Sequence, residues 1–351
     1  MRRQILLSHL VSTVWAMEPG HMHTMGSVLR RWAAGAAATP EIMADVRADQ
    51  EIRAARAKSN AAVGGGIAVL SLAGVMSQKA SMVDDLSGGG GTSTDAFTQA
   101  VRSAVADPMV SGIIIDIDSP GGSVFGTGEL AAAVFSARNS KPIYGFVNSL
   151  CASAAYWVGA QCGQLFITPG GQAGSVGVYM QHVDESGALE QEGLKPTFIS
   201  AGKYKTEGNS LGPLDDEAKS SLQATVDSYY TMFTAAIAKG RGVPVASVRS
   251  GFGEGRCLMA SDALAAGMVD GICSMDDVVA KMRSEIKTNS ARAVVDDIDI
   301  GAVLDVEEPT GGFSGPAHLM AHLENQVSTF EVQIARAKHA ARRREMEIAG
   351  A

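Results

Sequence analysis

The chain has 351 residues, 46% of them hydrophobic but only 5% aromatic, so it can bury one large core built from aliphatic side chains and methionine. A net charge of −8 argues against a protein that coats nucleic acid. The four cysteines, Cys151, Cys162, Cys257 and Cys273, form no CxxC pair and read as reduced, packed thiols rather than a disulfide frame or a zinc site.

Met1-Arg2-Arg3 followed by Gln4-Ile5-Leu6-Leu7 resembles the start of a secretion leader, but Ser8, His9, Ser12 and Thr13 interrupt the apolar run and Glu18 ends it. No stretch approaches the roughly 20 apolar residues of a spanning helix. The expectation is a cytoplasmic protein without a membrane anchor. Residues 1–62 read as a helical extension. Leu6, Leu7, Leu10, Val11, Val14 and Trp15 fall at helical spacing, Pro19-Gly20 breaks the pattern, and a second helix is predicted over Thr24–Ala34. Pro40–Ala62 is charged and alanine-rich.

The body is predicted over residues 63–283. A first buried strand covers Gly66–Leu72, and a helix covers Thr94–Ala106 with Thr94 as its N-cap. Gly112-Ile113-Ile114-Ile115-Asp116-Ile117-Asp118 has the continuous apolar character of a parallel strand covered on both faces. A helix over Gly126–Ser136, a strand over Pro142–Val147, a helix over Ser153–Cys162 and strands at Leu165–Ile167 and Thr197–Ser200 follow, before a long helix over Asp215–Lys239. Strands alternating with helices imply βαβ units and an α/β fold. Residues 284–316 read as an acidic, Gly- and Pro-containing linker. Over 317–351, Met320, Leu323, Val327, Phe330, Ile334, Ala337 and Ala341 trace a coiled-coil seam on a basic helical tail.

Four short segments carry the chemistry. Ser119-Pro120-Gly121-Gly122 lies between a strand and a helix. It can be a plain β-turn, or a turn whose Gly121 and Gly122 amides face a developing oxyanion, where a donor is worth about 3 kcal/mol. Ser153 follows a strand and opens an alanine-rich helix, which suits either an N-cap or a nucleophile near a helix N-terminus. Cys151 is a rival nucleophile two residues earlier. A serine nucleophile needs a base. Of the seven histidines only His182 lies within the body, so a Ser-His-Asp triad could run through that residue alone. Lys203 and Lys205 in Gly202-Lys203-Tyr204-Lys205 are the alternative, and strand alternation does not choose between them. Either amine would have to lose its proton through desolvation or nearby positive charge.

From Ile67 to Ile272 the chain resembles the S49 peptidase family, which includes signal peptide peptidase A and the head-maturation proteases of tailed phages. The resemblance rests on Ala152-Ser153-Ala154-Ala155-Tyr156, where the family has glycines after the serine, and on Gly174-Ser175-Val176-Gly177-Val178. It rests also on Gly202-Lys203-Tyr204-Lys205 and on the closing segment Ala260–Asp270. It implies a ClpP/crotonase-like spiral of βαβ units, here with an N-terminal helical prelude and a C-terminal helical tail. It also implies Ser153 as nucleophile, Lys205 as general base, Ser175 as the hydroxyl that holds the lysine amine, and an oxyanion glycine at Gly121 or Gly122. No metal or cofactor is implied. The expected partners are protein substrates such as capsid, scaffold or portal proteins in a procapsid or host cytoplasm, and further copies of the chain, with no direct nucleic-acid contact. A signal-peptide-peptidase-like bacterial protease, an inactive assembly protein and acyl-CoA chemistry on the same fold are the alternatives.

Overall fold

Parallel pairing is densest where the sequence is most continuously apolar. The computed structural model describes residues 13–33, 66–79 and 91–296. The expected segment at 40–62, most of the 284–316 linker and the 317–351 tail lie outside these residues. At the centre stand β2 (Ile67–Ala73), β5 (Gly112–Ser119) and β7 (Ile143–Ala152), paired in parallel in the order β2-β5-β7. On β5, Ile113, Ile115 and Ile117 face one hydrophobic cluster and Ile114 faces another, so both faces of the strand are covered. The first face packs against α2 (Thr94–Ala106), α3 (Thr127–Ala137), α4 (Ala154–Gly159) and α6 (Asp216–Arg241) through Phe97, Leu130, Tyr156 and Phe233. The second packs against α9 (Met275–Asp296) through Val278 and Met282. The fold is therefore mixed α/β around a parallel sheet.

Strand β7 forks. Its first half pairs in parallel with β8 (Gln164–Ile167), and its last residues, Leu150–Ala152, pair with β9 (Gln172–Gly174). The register against β5 shifts between Ile117 and Ser119, which lets the end of β7 leave the plane of the sheet. A small second sheet, in the order β1-β6-β3-β4, contains β1 (Trp15–Met17), β3 (Met76–Ser77), β4 (Thr92–Ser93) and β6 (Gly121–Ser123). Pro120 separates β5 from β6, so the chain passes from the large sheet to the small one at the Gly-Gly turn.

Helix α6 has a full set of end signals. Asp215 accepts the Ala218 N–H at 2.7 Å, Asp216 and Glu217 fill the first turn, Lys239 and Arg241 the last, and Gly242 closes it in the left-handed region. Arg241 forks onto Asp270 with two contacts of 2.8 Å, and Asp270 also accepts the Leu165 N–H at 2.7 Å. This links the helix end to β8 and the closing turn. Among the described residues no helix is long and apolar enough to cross a membrane.

The structure departs from the sequence reading in five places. Of the helix expected over Leu6–Trp15, residues 6–12 lie outside the described residues, and Trp15 belongs to β1, because Trp15–Met17 is drawn into a ladder with β6. Pro19 starts α1 (Pro19–Ala33) rather than ending a helix, as suits a residue with no N–H to satisfy, and the Glu18 carboxylate accepts the His21 N–H at 3.0 Å. The cap of α2 is Ser93, whose hydroxyl accepts from Ala96, while Thr94 is buried in the first turn. Thr197–Ser200 is not a strand: it is exposed chain with no partner strand, despite its β-forming composition. Finally α9 continues through Asp296, well into the segment read as linker.

Candidate active site

Three backbone turns meet at the end of β7. The strand finishes with Ala152 opposite Gly174, and α4 begins at Ala154. Between them Ser153 adopts φ 54°, ψ −115°, a region that side chains rarely occupy. A strained serine between a strand and a helix is the geometry of a nucleophile elbow. Its N–H donates to the Gly174 carbonyl at 2.7 Å and its Oγ to the Gly177 carbonyl at 3.3 Å. The hydroxyl makes no capping bond to α4, although Ser153 stands at the N-cap position. That removes the ordinary reason for a serine at this place.

Helix α4 holds the elbow rigidly. All six of its residues are buried, Trp157 stacks on Phe233 with centroids 4.6 Å apart, and the Tyr156 hydroxyl donates to the Met268 carbonyl at 2.9 Å. The Ala154 amide belongs to the first turn, where intrahelical partners are lacking. Sequence reading passed over it. The signal was available, because the residue after an elbow nucleophile often supplies an oxyanion N–H.

The Gly-Gly turn comes directly against this elbow. Gly121 has φ +92°, and a methyl group on it would lie 2.8 Å from the Ala152 carbonyl oxygen and 3.0 Å from the Ala154 nitrogen. A methyl on Gly122 would lie 1.9 Å from the Met76 carbonyl oxygen, so neither position accepts a side chain. Both amides were expected to be uncovered. In the structure the Gly121 N–H donates to Ser119 Oγ at 3.2 Å, and Gly122 lies opposite Ala16 in the β1–β6 ladder. Ser119 in turn donates to the Gly74 carbonyl at 2.6 Å. It clamps the turn, a positioning contact that sequence reading did not assign.

The third turn is Gly174-Ser175. Gly174 has φ +135° and a methyl there would lie 2.5 Å from the Arg256 carbonyl oxygen, on β10's side of the β9–β10 (Cys257–Met259) pair. Ser175 is buried, has φ 52° and donates its N–H to Arg256 at 2.8 Å. Ser153 and the Gly174–Gly177 turn are thus in direct contact.

Both lysines are exposed. Lys205 lies in an exposed turn, its N–H donating to Gly202 at 3.1 Å, and among the described residues no hydrogen bond joins it to Ser153 or Ser175. Lys203 donates to the Tyr204 hydroxyl at 2.7 Å and to Glu217 at 2.9 Å, contacts that raise its pKa and hold its proton. His182 shares its Nε2 with the Asn209 carbonyl at 2.9 Å. Cys151 is fully buried, and burial pushes its thiol well above the usual range, so it is packing material rather than a rival nucleophile. Among the described residues no cluster of three or more His, Cys, Asp or Glu is placed to hold a metal ion.

Residues 136–289 match the model of Peptidase family S49. Over that segment the chain is similar to the S49 peptidases. The match takes in Ser153, Ser175 and Lys205, while Gly121 and Gly122 precede it. The chain is 30% identical over 224 residues to the head-tail preconnector protein GP5 of Enterobacteria phage P21, covering 64% of this chain and 44% of that protein. It is 29% identical over 227 residues to capsid assembly protease C of Escherichia phage lambda, covering 65% and 51% respectively. Protease 4 of Salmonella typhi is 26% identical over 225 residues, covering 64% of this chain and 35% of that protein. The chain spans about half the length of the phage relatives it matches.

Proposed function

We propose that this chain is a serine endopeptidase with a Ser153–Lys205 dyad that processes capsid or scaffold proteins during phage head maturation. The observation that carries the reading is the elbow at Ser153: a strained serine whose hydroxyl does not cap its own helix, set beside Gly121 and the Ala154 amide, within the segment similar to the S49 peptidases. Ser153 Oγ attacks the scissile carbonyl as Lys205 takes its proton. The amides of Gly121, Gly122 and Ala154 are the candidate donors to the oxyanion. Lys205 then protonates the leaving amine, and water releases the acyl group by the same proton traffic in reverse. Because the Gly121 N–H rests on Ser119, the turn must re-aim that amide for it to serve.

Two features bear on the base. Lys205 follows an apolar stretch in which Leu194, Phe198 and Ile199 are exposed, Ile199 completely so. Covering that arm by further copies of the chain or by substrate would desolvate the amine, the change that frees a lysine to act as base. The expected homo-oligomer fits that requirement. The parallel β2-β5-β7 order with helices on both faces supports the ClpP/crotonase-like assignment. Assignment to capsid maturation rests on likeness to the two phage proteins.

The test is hydrolysis of a capsid or scaffold substrate by purified variants. Ser153→Ala and Lys205→Ala should each lower kcat by at least 1,000-fold, roughly the scale of losing a nucleophile or its base. The wild-type rate should rise with pH along one ionisation, because the base acts unprotonated. Full activity in Lys205→Ala together with loss in His182→Ala would transfer the role of base to His182.

A further inference from the structure

The candidate nucleophile is completely buried, and strand β1 runs beside the Gly121 turn that adjoins it. Strand β1 pairs antiparallel with β6 in the register Trp15–Ser123, Ala16–Gly122 and Met17–Gly121. Glu18 N–H donates to the Pro120 carbonyl at 2.8 Å and Val124 N–H to the Val14 carbonyl at 3.2 Å. By the alternation of an antiparallel ladder, Ala16 and Gly122 are then the pair that exchanges both backbone bonds. On its other edge, Trp15 exchanges N–H···O bonds of 2.9 and 3.0 Å with Tyr179. β1 is therefore an extended peptide held on both edges by backbone hydrogen bonds, the arrangement of strand-addition recognition.

Its carbonyls reach the site. A methyl on Gly121 would be 2.3 Å from the Ala16 carbonyl oxygen as well as 3.0 Å from the Ala154 nitrogen, so the two groups face one small volume. Side chains alternate. Val14 and Ala16 face the main core, while Trp15 and Met17 pack with Met22 and Val75, flanked by Met25 and Tyr179. The closed arrangement carries a cost, because the Tyr179 hydroxyl is buried with no hydrogen-bond partner among the described residues.

We infer that Val14–Met17 is an internal pseudosubstrate. It fills an extended-peptide site along β6, antiparallel to Gly121–Ser123, and must leave before a substrate strand can enter. The site takes a peptide with a small residue at the Ala16 position, where the Gly121–Gly122 backbone lies close, and large apolar residues on either side. The inference rests on the Ser153 reading only for where the reacting groups lie; occupancy of the groove can be tested without catalysis.

The experiment uses the full chain carrying Ser153→Ala and a fluorescein-labelled peptide with the sequence of residues 13–19. One variant adds Ala16→Pro, which removes the ladder N–H and releases β1. Another adds Trp15→Cys and Tyr179→Cys, a directly opposed pair within disulfide reach, so that oxidation locks β1 in place. Peptide affinity should rise at least 10-fold in the released variant and fall below detection in the oxidised one, returning on reduction. The Ser153→Ala chain treated with the same oxidant is the control for the native thiols. In the wild-type sequence, amide exchange at Trp15 and Ala16 should accelerate when saturating peptide is added, a check that needs no destabilising substitution. Equal peptide binding by oxidised and reduced forms, or unchanged exchange at β1, would overturn the inference. A failure of the Ser–Lys mechanism would appear elsewhere, as hydrolysis that survives Ser153→Ala, and would leave the binding result intact.

Discussion

Ser153 is held in a backbone conformation that glycine adopts freely and other residues adopt at a cost of about 1–3 kcal/mol. Substitution by glycine should therefore separate stability from activity. Ser153→Gly is expected to gain about 1 kcal/mol, read as a higher midpoint in urea, while abolishing hydrolysis. A variant less stable than the wild type would mean that the hydroxyl's bond to Gly177 outweighs the strain. Before the fold is known, Ser153 has two readings, cap or nucleophile. The choice depends on the direction of one hydroxyl, which is set by the Gly174–Gly177 turn more than 20 residues away. Gly121 and Gly122 were legible as turn glycines. The reason they must be glycine was not, because it is contact with Ala16, Ala152 and Met76 across the fold.

At the scale of elements, local signals and burial decided most of the outcome. The isoleucine run of β5, the capped α6 and the alanine-rich α4 all form where their composition places them. Two segments did not follow their own pattern. Leu6–Trp15 has helical spacing, yet Trp15–Met17 gains β6 as a strand partner and a bridge from Trp15 to Tyr179, and becomes β1. Thr197–Ser200 has strand composition but no neighbouring strand, so it stays irregular. The tie between α6 and β8 gives a pH-dependent prediction. Burial pushes the Asp270 carboxyl up, but the Arg241 fork and the Leu165 N–H more than reverse this, leaving its pKa below the usual carboxylate value. A depressed folded-state pKa contributes stability above the ordinary carboxylate pKa and loses it as pH falls through the folded value. Arg241→Met should lower stability at pH 7 by about 2 kcal/mol and flatten the acid side of the stability profile. Urea titrations at neutral and acid pH would check both.

Over the whole molecule, the parallel sheet is shielded on both faces, whereas the arm that carries Lys205 is not. Leu194, Phe198 and Ile199 stand out into solvent beside the proposed base. If assembly of copies covers this arm, Ile199→Asp should shift the protein to monomer in analytical ultracentrifugation. The same variant should lose at least 10-fold in activity while its melting temperature stays within a few degrees of wild type. A wild-type chain that is monomeric throughout would count against the oligomer. Ser153 is buried and Lys205 exposed, and among the described residues no hydrogen bond joins the two members of the proposed dyad.

The order of the parts, and the likeness to S49 peptidases that it carries, was legible in the sequence alone. Strand ends, turn glycines and a serine at a strand-helix junction are local features, and they occur in the order that the S49 resemblance implies. Only the tertiary structure decided which amides are already occupied, that the serine does not cap its helix, and that residues 15–17 pair along the Gly121–Ser123 edge. The direction of the serine hydroxyl depends on Gly177, 24 residues on, and the covering of Gly122 on Ala16, more than 100 residues back, and no local pattern encodes which backbone edge a distant strand will fill.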